Sequence, residues 1–478
     1  LKSTALSLIA TPLLVIATLA GRIDAVARTA PDAERGAPER VASSGPDLAV
    51  GSISGITGFG ALDGVAAYSI GTTACNLGDE MALWCATSVP GLCGPTQHPV
   101  TAQNLYRLSD GRFEQVGMSW LRHGVCALDS NFCGPCTADP FGCSALGAGC
   151  SDPYSASTNG TQSLLGPRSE VNASTGALLY PFAPPVAPTK LDRRIQVPLM
   201  VLDPAQNHGA LYFAEAHYVS ADDAAAGHAN NNASFRQVLV GAFSNGAFVL
   251  QLTGSTVQQK HAIHAWKEHG LGIGLPDPEV SLQNIDVEGD GRFIVGHRVH
   301  DNRDGTWSYE YAVFNQNSDR AARSWRVPVP AGVTVTMQEQ NIVNHHSGEP
   351  YSTAPWIMST NMDALLWQTA AAEDDLEENA LRWGTLFNFR FVADAPPTSG
   401  VATLGLLGSG PSRDPGVIVL GPSAPSCLAD LSGDGTVDGA DLALVLGAWG
   451  TSGSADLDQS GGVDGADLAI VLGSWGQC

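Results

Sequence analysis

Alternation of apolar and polar positions with a period of two runs through much of the chain, as in β-strands with two distinct faces. In 210–220, ALYFAEAHYVS, Leu211 and Phe213 fall on one face and Tyr212 and Ala214 on the other, which predicts a half-buried strand. In 307–315, WSYEYAVFN, Trp307, Tyr309, Tyr311 and Val313 oppose Glu310, Ala312 and Phe314. The segments GRFIVGHRVHD, SWRVPVPAGVTVTM and LRWGTLFNFRFVAD continue the β pattern, parted by turn signals such as Glu288-Gly289-Asp290-Gly291 and Asp304-Gly305. Such spacing predicts an antiparallel β-sandwich over 281–420, with VATLGLL and GVIVL as its final strands. Upstream, 47–280 is dense in turn residues between short apolar runs and reads as a Cys-rich, β-rich domain. Within it, Asp222-Asp223 opens an Ala run that fits a short helix capped by Asp.

A helical period appears only at the C-terminus. Leu442, Val445, Leu446 and Trp449 form one stripe, and Leu468, Val471, Leu472 and Trp475 another. Neither helix could bury its stripe alone; two copies packed face to face could. The fold class is therefore mainly β: a disulfide-stapled, β-rich body plus a small α-helical module.

Each helix follows a twelve-residue acidic phrase, DLSGDGTVDGAD at 430–441 and DLDQSGGVDGAD at 456–467. Calcium takes six to eight hard oxygen ligands from loop positions 1, 3, 5, 7, 9 and 12, around a glycine at position 6. In the first phrase these are Asp430, Ser432, Asp434, Thr436 (backbone carbonyl), Asp438 and Asp441, with Gly435 at the turn. In the second they are Asp456, Asp458, Ser460, Gly462 (backbone carbonyl), Asp464 and Asp467, with Gly461 at the turn. From Cys427 onward there are eight Asp and no Lys, Arg or Glu. Without cations these carboxylates repel, so two bound calcium ions and folding are expected to be linked. Cys427 and Cys478 bracket the module, where a disulfide would clamp its ends.

The tandem loop–helix repeat resembles the type I dockerin domain, whose loops are EF-hand-like but lack the entering helix. That resemblance implies a cohesin-like domain or a cell-surface component as partner. Dockerins contact cohesins around loop positions ten and eleven, here Gly439-Ala440 and Gly465-Ala466. These small pairs differ from the polar or bulky pairs of cellulosomal dockerins. A calcium-stabilised cap without a partner stays open beside docking. The body, through FEQVGMSWLRHG, GCSDPYSASTNG, YEYAVFNQNSDRAARSWRVPVP and NALRWGTLFNFRF, resembles a group of secreted bacterial proteins that often end in dockerin-like modules. That resemblance implies no activity.

The net charge of −23, from 47 acidic and 24 basic residues, argues against nucleic acid or an anionic membrane as partner. An apolar run at 5–20 behind Lys2, followed by Ala25-Val26-Ala27, predicts a signal peptide over 1–27 and a secreted, extracellular or cell-surface protein. No later segment is long enough to span a membrane. A flexible lead-in is expected over 28–46, a linker over 421–426 and the calcium module over 427–478. Eight of the ten Cys lie between Cys75 and Cys150, which reads as a disulfide framework. Cys133-Gly134-Pro135-Cys136 spells a thioredoxin-type motif, but Pro140 and the nearby Cys126, Cys143 and Cys150 favour structural bridges.

Candidate chemistry in the body is diffuse. His98, Asn104, Arg107, Trp120, His123, Asp152, Tyr154, Asn159, Arg168 and Asn172 could line one site, or could brace loop backbone. His208, His217 and His228 lack metal-ligand spacing, and the adjacent His345 and His346, near Glu349, point apart on an extended chain. Asn159, Asn172 and Asn232 each open a glycosylation sequon. The catalytic residues are unknown, because no nucleophile motif is present. Two functions compete: a secreted calcium-binding protein with a binding or structural role, and a secreted hydrolase or metal-dependent oxidase that carries the module as a targeting tag.

Overall fold

In a computed structural model the described residues are 43–477, without 125, 164–165, 183–187, 362, 371–375, 409 and 425–426. The expected signal peptide, most of the lead-in and Cys478 lie outside the described residues. The fold is mainly β, and its sheets are antiparallel. No helix among the described residues is long and apolar enough to cross a membrane.

The first sheet is ten-stranded. Its main strands are β1 (Leu48–Leu62), β2 (Val65–Asn76), β3 (Val100–Ser109), β4 (Arg112–Met118), β5 (Ile195–Pro198), β6 (Leu211–Val219), β7 (Ala233–Ser244) and β8 (Ala247–Val257). They lie in the order β1-β2-β5-β4-β3-β6-β7-β8, and the short segments Arg122–His123 and Ser151–Tyr154 pair onto β3 and β2. Strand β6 is buried on both faces, not half-buried as its alternation predicts. Tyr212, Ala214, Ala216 and Tyr218 join one apolar cluster with Tyr68, Ile70 and Leu105. Phe213 joins another with Tyr106, Phe113 and Trp266. The alternation separates two buried faces, because both sides of this sheet are covered.

Two five-stranded sheets follow. One runs β9 (Ser281–Asp286), β10 (Arg292–Asp301), β11 (Trp307–Asn315), β16 (Thr385–Ala393), β13 (Val335–Ile342). The other runs β14 (Ile357–Asn361), β15 (Ala364–Gln368), β12 (Ala322–Pro328), β17 (Pro397–Leu406), β18 (Gly416–Pro422). Their facing sides share one core: Tyr309, Tyr311, Phe387, Phe389 and Phe391 from the first, and Trp325, Trp367, Leu404 and Val419 from the second. The back of the first contributes Ile294, Ala312, Phe314 and Leu386 to the cluster that holds Phe213. Three β layers therefore stack through two cores. The segment expected to be a linker at 421–426 begins inside a strand, since Pro422 pairs with Pro397 at the strand's end. Pro is tolerated there because it needs no ladder donor.

The helices are short: α1 (Ala156–Thr161), α2 (Ala221–Ala226), α3 (His264–His269), α4 (Gly439–Gly447) and α5 (Gly465–Gly473). The N-cap of α2 is Ser220, not an Asp. Asp222 and Asp223 fall in the first turn, where Asp223 accepts from Leu48 N and Asn232 Nδ2, each at 2.7 Å. The disulfides are Cys75–Cys133, Cys85–Cys93, Cys126–Cys143 and Cys136–Cys150. The two Cys of the thioredoxin-type motif thus bond to other partners. Cys427 is also oxidised.

Arg168 ties the layers together. Its guanidinium donates to the carbonyls of Ser119, Gln103 and Gly384 at 2.9 Å each, and to Asn104 Oδ1 at 2.7 Å. Asn104 and Tyr106 donate in turn to Glu215, which also accepts from Ala262 N at 2.6 Å. Gln115 bonds the Gly384 carbonyl at 3.1 Å and Leu386 N at 2.8 Å. Arg168→Met leaves these carbonyls short of donors in the interior. It is expected to destabilise the protein by about 3–5 kcal/mol, read from denaturant midpoints.

Candidate metal centre

The two acidic loops end at the starts of α4 and α5, and ligand positions 9 and 12 double as helix caps. Asp438 is the N-cap of α4 and accepts from Ala440 N at 2.7 Å; Asp441, at N3, reaches back to Asp438 N at 2.8 Å. Asp464 and Asp467 repeat this capping box on α5, with both distances 2.8 Å. A capping box satisfies two orphan amides at a helix start and favours negative charge there. Further amides hold the twelfth carboxylates: Ser432 N reaches Asp441 at 2.8 Å, and Leu457 N reaches Asp467 at 2.6 Å. These bonds hold both carboxyls below the usual Asp range. Position 6 carries φ of +88° at Gly435 and +105° at Gly461, which a side chain would strain.

The first position of each loop closes its turn. Asp430 accepts from Gly433 N at 2.7 Å and Gly435 N at 2.8 Å; Asp456 accepts from Ser460 N at 3.0 Å and Gly461 N at 2.9 Å. In the second loop, oxygens of Asp456, Asp458 and Asp467 lie within 4.8 Å of one another. Three carboxylates gathered so closely, with no Lys or Arg in the segment, form a hard-oxygen donor set that fits a divalent cation. Among the described residues no such trio gathers in the first loop, where position 3 is Ser432 rather than an acid. Asp129, Cys136 and Cys150 also cluster, but both sulfurs are in a disulfide.

Behind the loops, Val437, Val445, Leu457, Val463 and Val471 form a small core, with Leu442 and Leu468 partly buried. The rest of each predicted stripe is not covered: Leu446, Trp449, Leu472 and Trp475 are 48–53% exposed. Nine-residue helices that start at a loop bring one or two turns of their stripe onto the shared core and leave the last turn outside it. Strand pairing between Thr436–Val437 and Gly476–Gln477 joins the beginning of the module to its end.

The body candidates divide across the ten-stranded sheet. Asp152, Tyr154 and Asn159 lie on the Tyr218 side; Asn159 and Tyr218 each bond Thr72 Oγ1 at 3.2 Å, and Tyr154 accepts from Trp84 at 3.2 Å. His98, His123, Asn104, Arg168 and His217 lie on the opposite side, where the His98 and His123 ring centres are 4.9 Å apart. Arg107 pairs with Glu114, and Trp120 packs on His346. His208 is exposed, and His228 bonds the Ser44 carbonyl at 3.1 Å. His345 meets Asn379 at 3.1 Å while His346 meets the Arg194 carbonyl at 3.0 Å, so the pair does point apart. Glu349 accepts from Arg168 N and Ser169 N. Asn172 Oδ1 caps its own turn, accepting from Ser174 N and Thr175 N. Asn232 is buried against Asp223, and Asn159 is buried against the Ile70 carbonyl. The sequence gives no signal for His261, which holds Glu215 at 3.2 Å and sits 4.9 Å from the His217 ring.

Burial sets the titration of this interior. It lowers the His217 imidazole to about 3, and those of His123, His297, His345 and His346 to about 4. Below about pH 6.5 the unfolded chain protonates these rings first, so the stability they carry is lost as pH falls toward 4. Burial raises Asp152 and Asp223 to about 7 and Glu310 to about 8. There the native state keeps the proton longer, so stability falls as pH rises from about 4 to 8. The named His outnumber the acids below pH 6.5, and only the acids act above it. The melting temperature in constant calcium is expected to peak near pH 6.5 and fall on both sides. For the loops, a chelator is expected to remove helical circular dichroism, and Asp467→Ala to weaken calcium binding at least about tenfold by calorimetry.

No protein-family model matches the chain, and no curated protein sequence matches it. Among solved structures, a serine-rich repeat adhesion glycoprotein from Streptococcus agalactiae is similar at 6% identity and a TM-score of 0.19, over 78% of this chain and 97% of that one. A likeness of that size carries no argument about fold or function.

Proposed function

We propose that the chain is a secreted calcium-binding protein with a binding or structural role, presented to a surface or partner through its dockerin-like C-terminal module. The carrying observation is the repeated acidic loop in which the ninth and twelfth ligand positions also cap the following helix. One cation per loop would neutralise the gathered carboxylates and leave each helix start intact. The exposed Leu446, Trp449, Leu472 and Trp475 supply apolar surface for a partner, a cohesin-like domain or a cell-surface component. The disulfide framework suits an oxidising, extracellular compartment.

The alternative of a secreted hydrolase or metal-dependent oxidase has narrower support. The expected site residues separate onto two sides of a sheet, and Arg168 uses its side chain on backbone carbonyls and Asn104. Two buried histidine pairs favour it, His98 with His123 and His217 with His261 beside Glu215.

The test is calcium-dependent capture of the full chain on immobilised cohesin-like domains and on isolated bacterial cell-wall material. Capture in calcium, abolished by chelator, is expected. Trp449→Ser with Trp475→Ser is expected to weaken capture at least about tenfold while calcium binding persists. Capture indifferent to calcium and to both Trp would overturn the docking role.

A further inference from the structure

His98 and His123 come from separate segments and meet through strand pairing. His123 lies opposite Val100 in the ladder, and His98 precedes Val100 by two residues. Both rings are buried, with exposures of 1% and 7%. His98 Nδ1 lies 3.1 Å from the Cys85 carbonyl, and His123 Nδ1 lies 3.2 Å from the Gly124 carbonyl. A carbonyl only accepts, so each Nδ1 carries the hydrogen and each Nε2 is the unprotonated nitrogen. Metal-ligating histidines are commonly oriented in this way, by an outer hydrogen bond that fixes the tautomer. His98 Nε2 is buried and has no hydrogen-bond partner.

The spacing suits a shared ion. Two imidazoles that hold one metal at about 2.0–2.1 Å keep their ring centres about 5 Å apart; here the distance is 4.9 Å. Tyr180 closes one side, its ring 4.8 Å from His98 and 5.3 Å from His123. The support is rigid. Cys85, whose carbonyl holds His98, is bonded to Cys93, and Cys126, just past Gly124, is bonded to Cys143.

We propose that His98 and His123 form a two-nitrogen site for a borderline or soft transition metal, zinc or copper, separate from the calcium loops. Imidazole selects these ions over calcium and magnesium, which prefer oxygen. Two protein ligands leave coordination positions for water or an exogenous ligand.

The full-length protein, held in excess calcium to fill the acidic loops, is titrated with Zn²⁺ and separately with Cu²⁺ by calorimetry. One equivalent is expected to bind. His98→Gln and His123→Gln are each expected to weaken binding at least about tenfold, with near-UV circular dichroism and calcium binding unchanged. His300→Gln, a half-exposed histidine elsewhere, is expected to change nothing. No stoichiometric binding by the wild type, or binding indifferent to both Gln variants, overturns the proposal. If the variants do not fold, X-ray absorption of the zinc-loaded wild type decides: two imidazoles per ion sustain it, and oxygen-only coordination overturns it.

Discussion

The interior depends on one buried cation. Arg168 sits where the ten-stranded sheet meets the back of the first five-stranded sheet, and its guanidinium joins the Gln103 and Ser119 carbonyls of one hairpin to the Gly384 carbonyl far along the chain. A charge in such a place is costly unless every donor finds an acceptor. Gly384 makes this possible: its φ is +70°, and a Cβ there would meet Arg168 Nη1 at 2.5 Å. The bare backbone at Gly384 lets the guanidinium approach its carbonyl. Glu215, two bonds away through Asn104, supplies the opposite charge.

This arrangement explains why a stack of three β layers leaves its polar candidates largely occupied. Asn104, Gln115, Glu215 and Glu349 all bond to backbone or to one another, and Gln115 does so across the boundary between two layers. Apolar clusters supply most of the contact area, and the polar network fixes how the layers register. His98 and His123 stand outside that network, at the end of the same face.

Strands and their faces were legible where the alternation was clean. The partition of Tyr309 and Tyr311 against Ala312 and Phe314 matches the two cores on either side of β11. What alternation does not encode is whether the second face meets water. Tyr212 and Ala214 look the same beside solvent or beside another layer, so β6 reads as half-buried until its neighbours are known. The acidic loops that cap α4 and α5 are legible because their spacing is local, with every candidate ligand within twelve residues. The His98–His123 pair is not, because 24 residues separate them and only the pairing of Val100 with His123 brings them together. The exposed ends of the C-terminal helices escape the sequence for a related reason. Periodicity marks a stripe, and does not say how far along the helix a partner reaches.

Two of the three glycosylation sequons have a consequence for where this protein can mature. Asn159 and Asn232 use their side-chain amides inside the fold, on the Ile70 carbonyl and on the Asp223 carboxylate. A host that attaches sugars during translocation would modify them before those bonds exist, and a glycan on either nitrogen would then forbid its native place. This fold therefore suits a cell that forms disulfides without decorating asparagine.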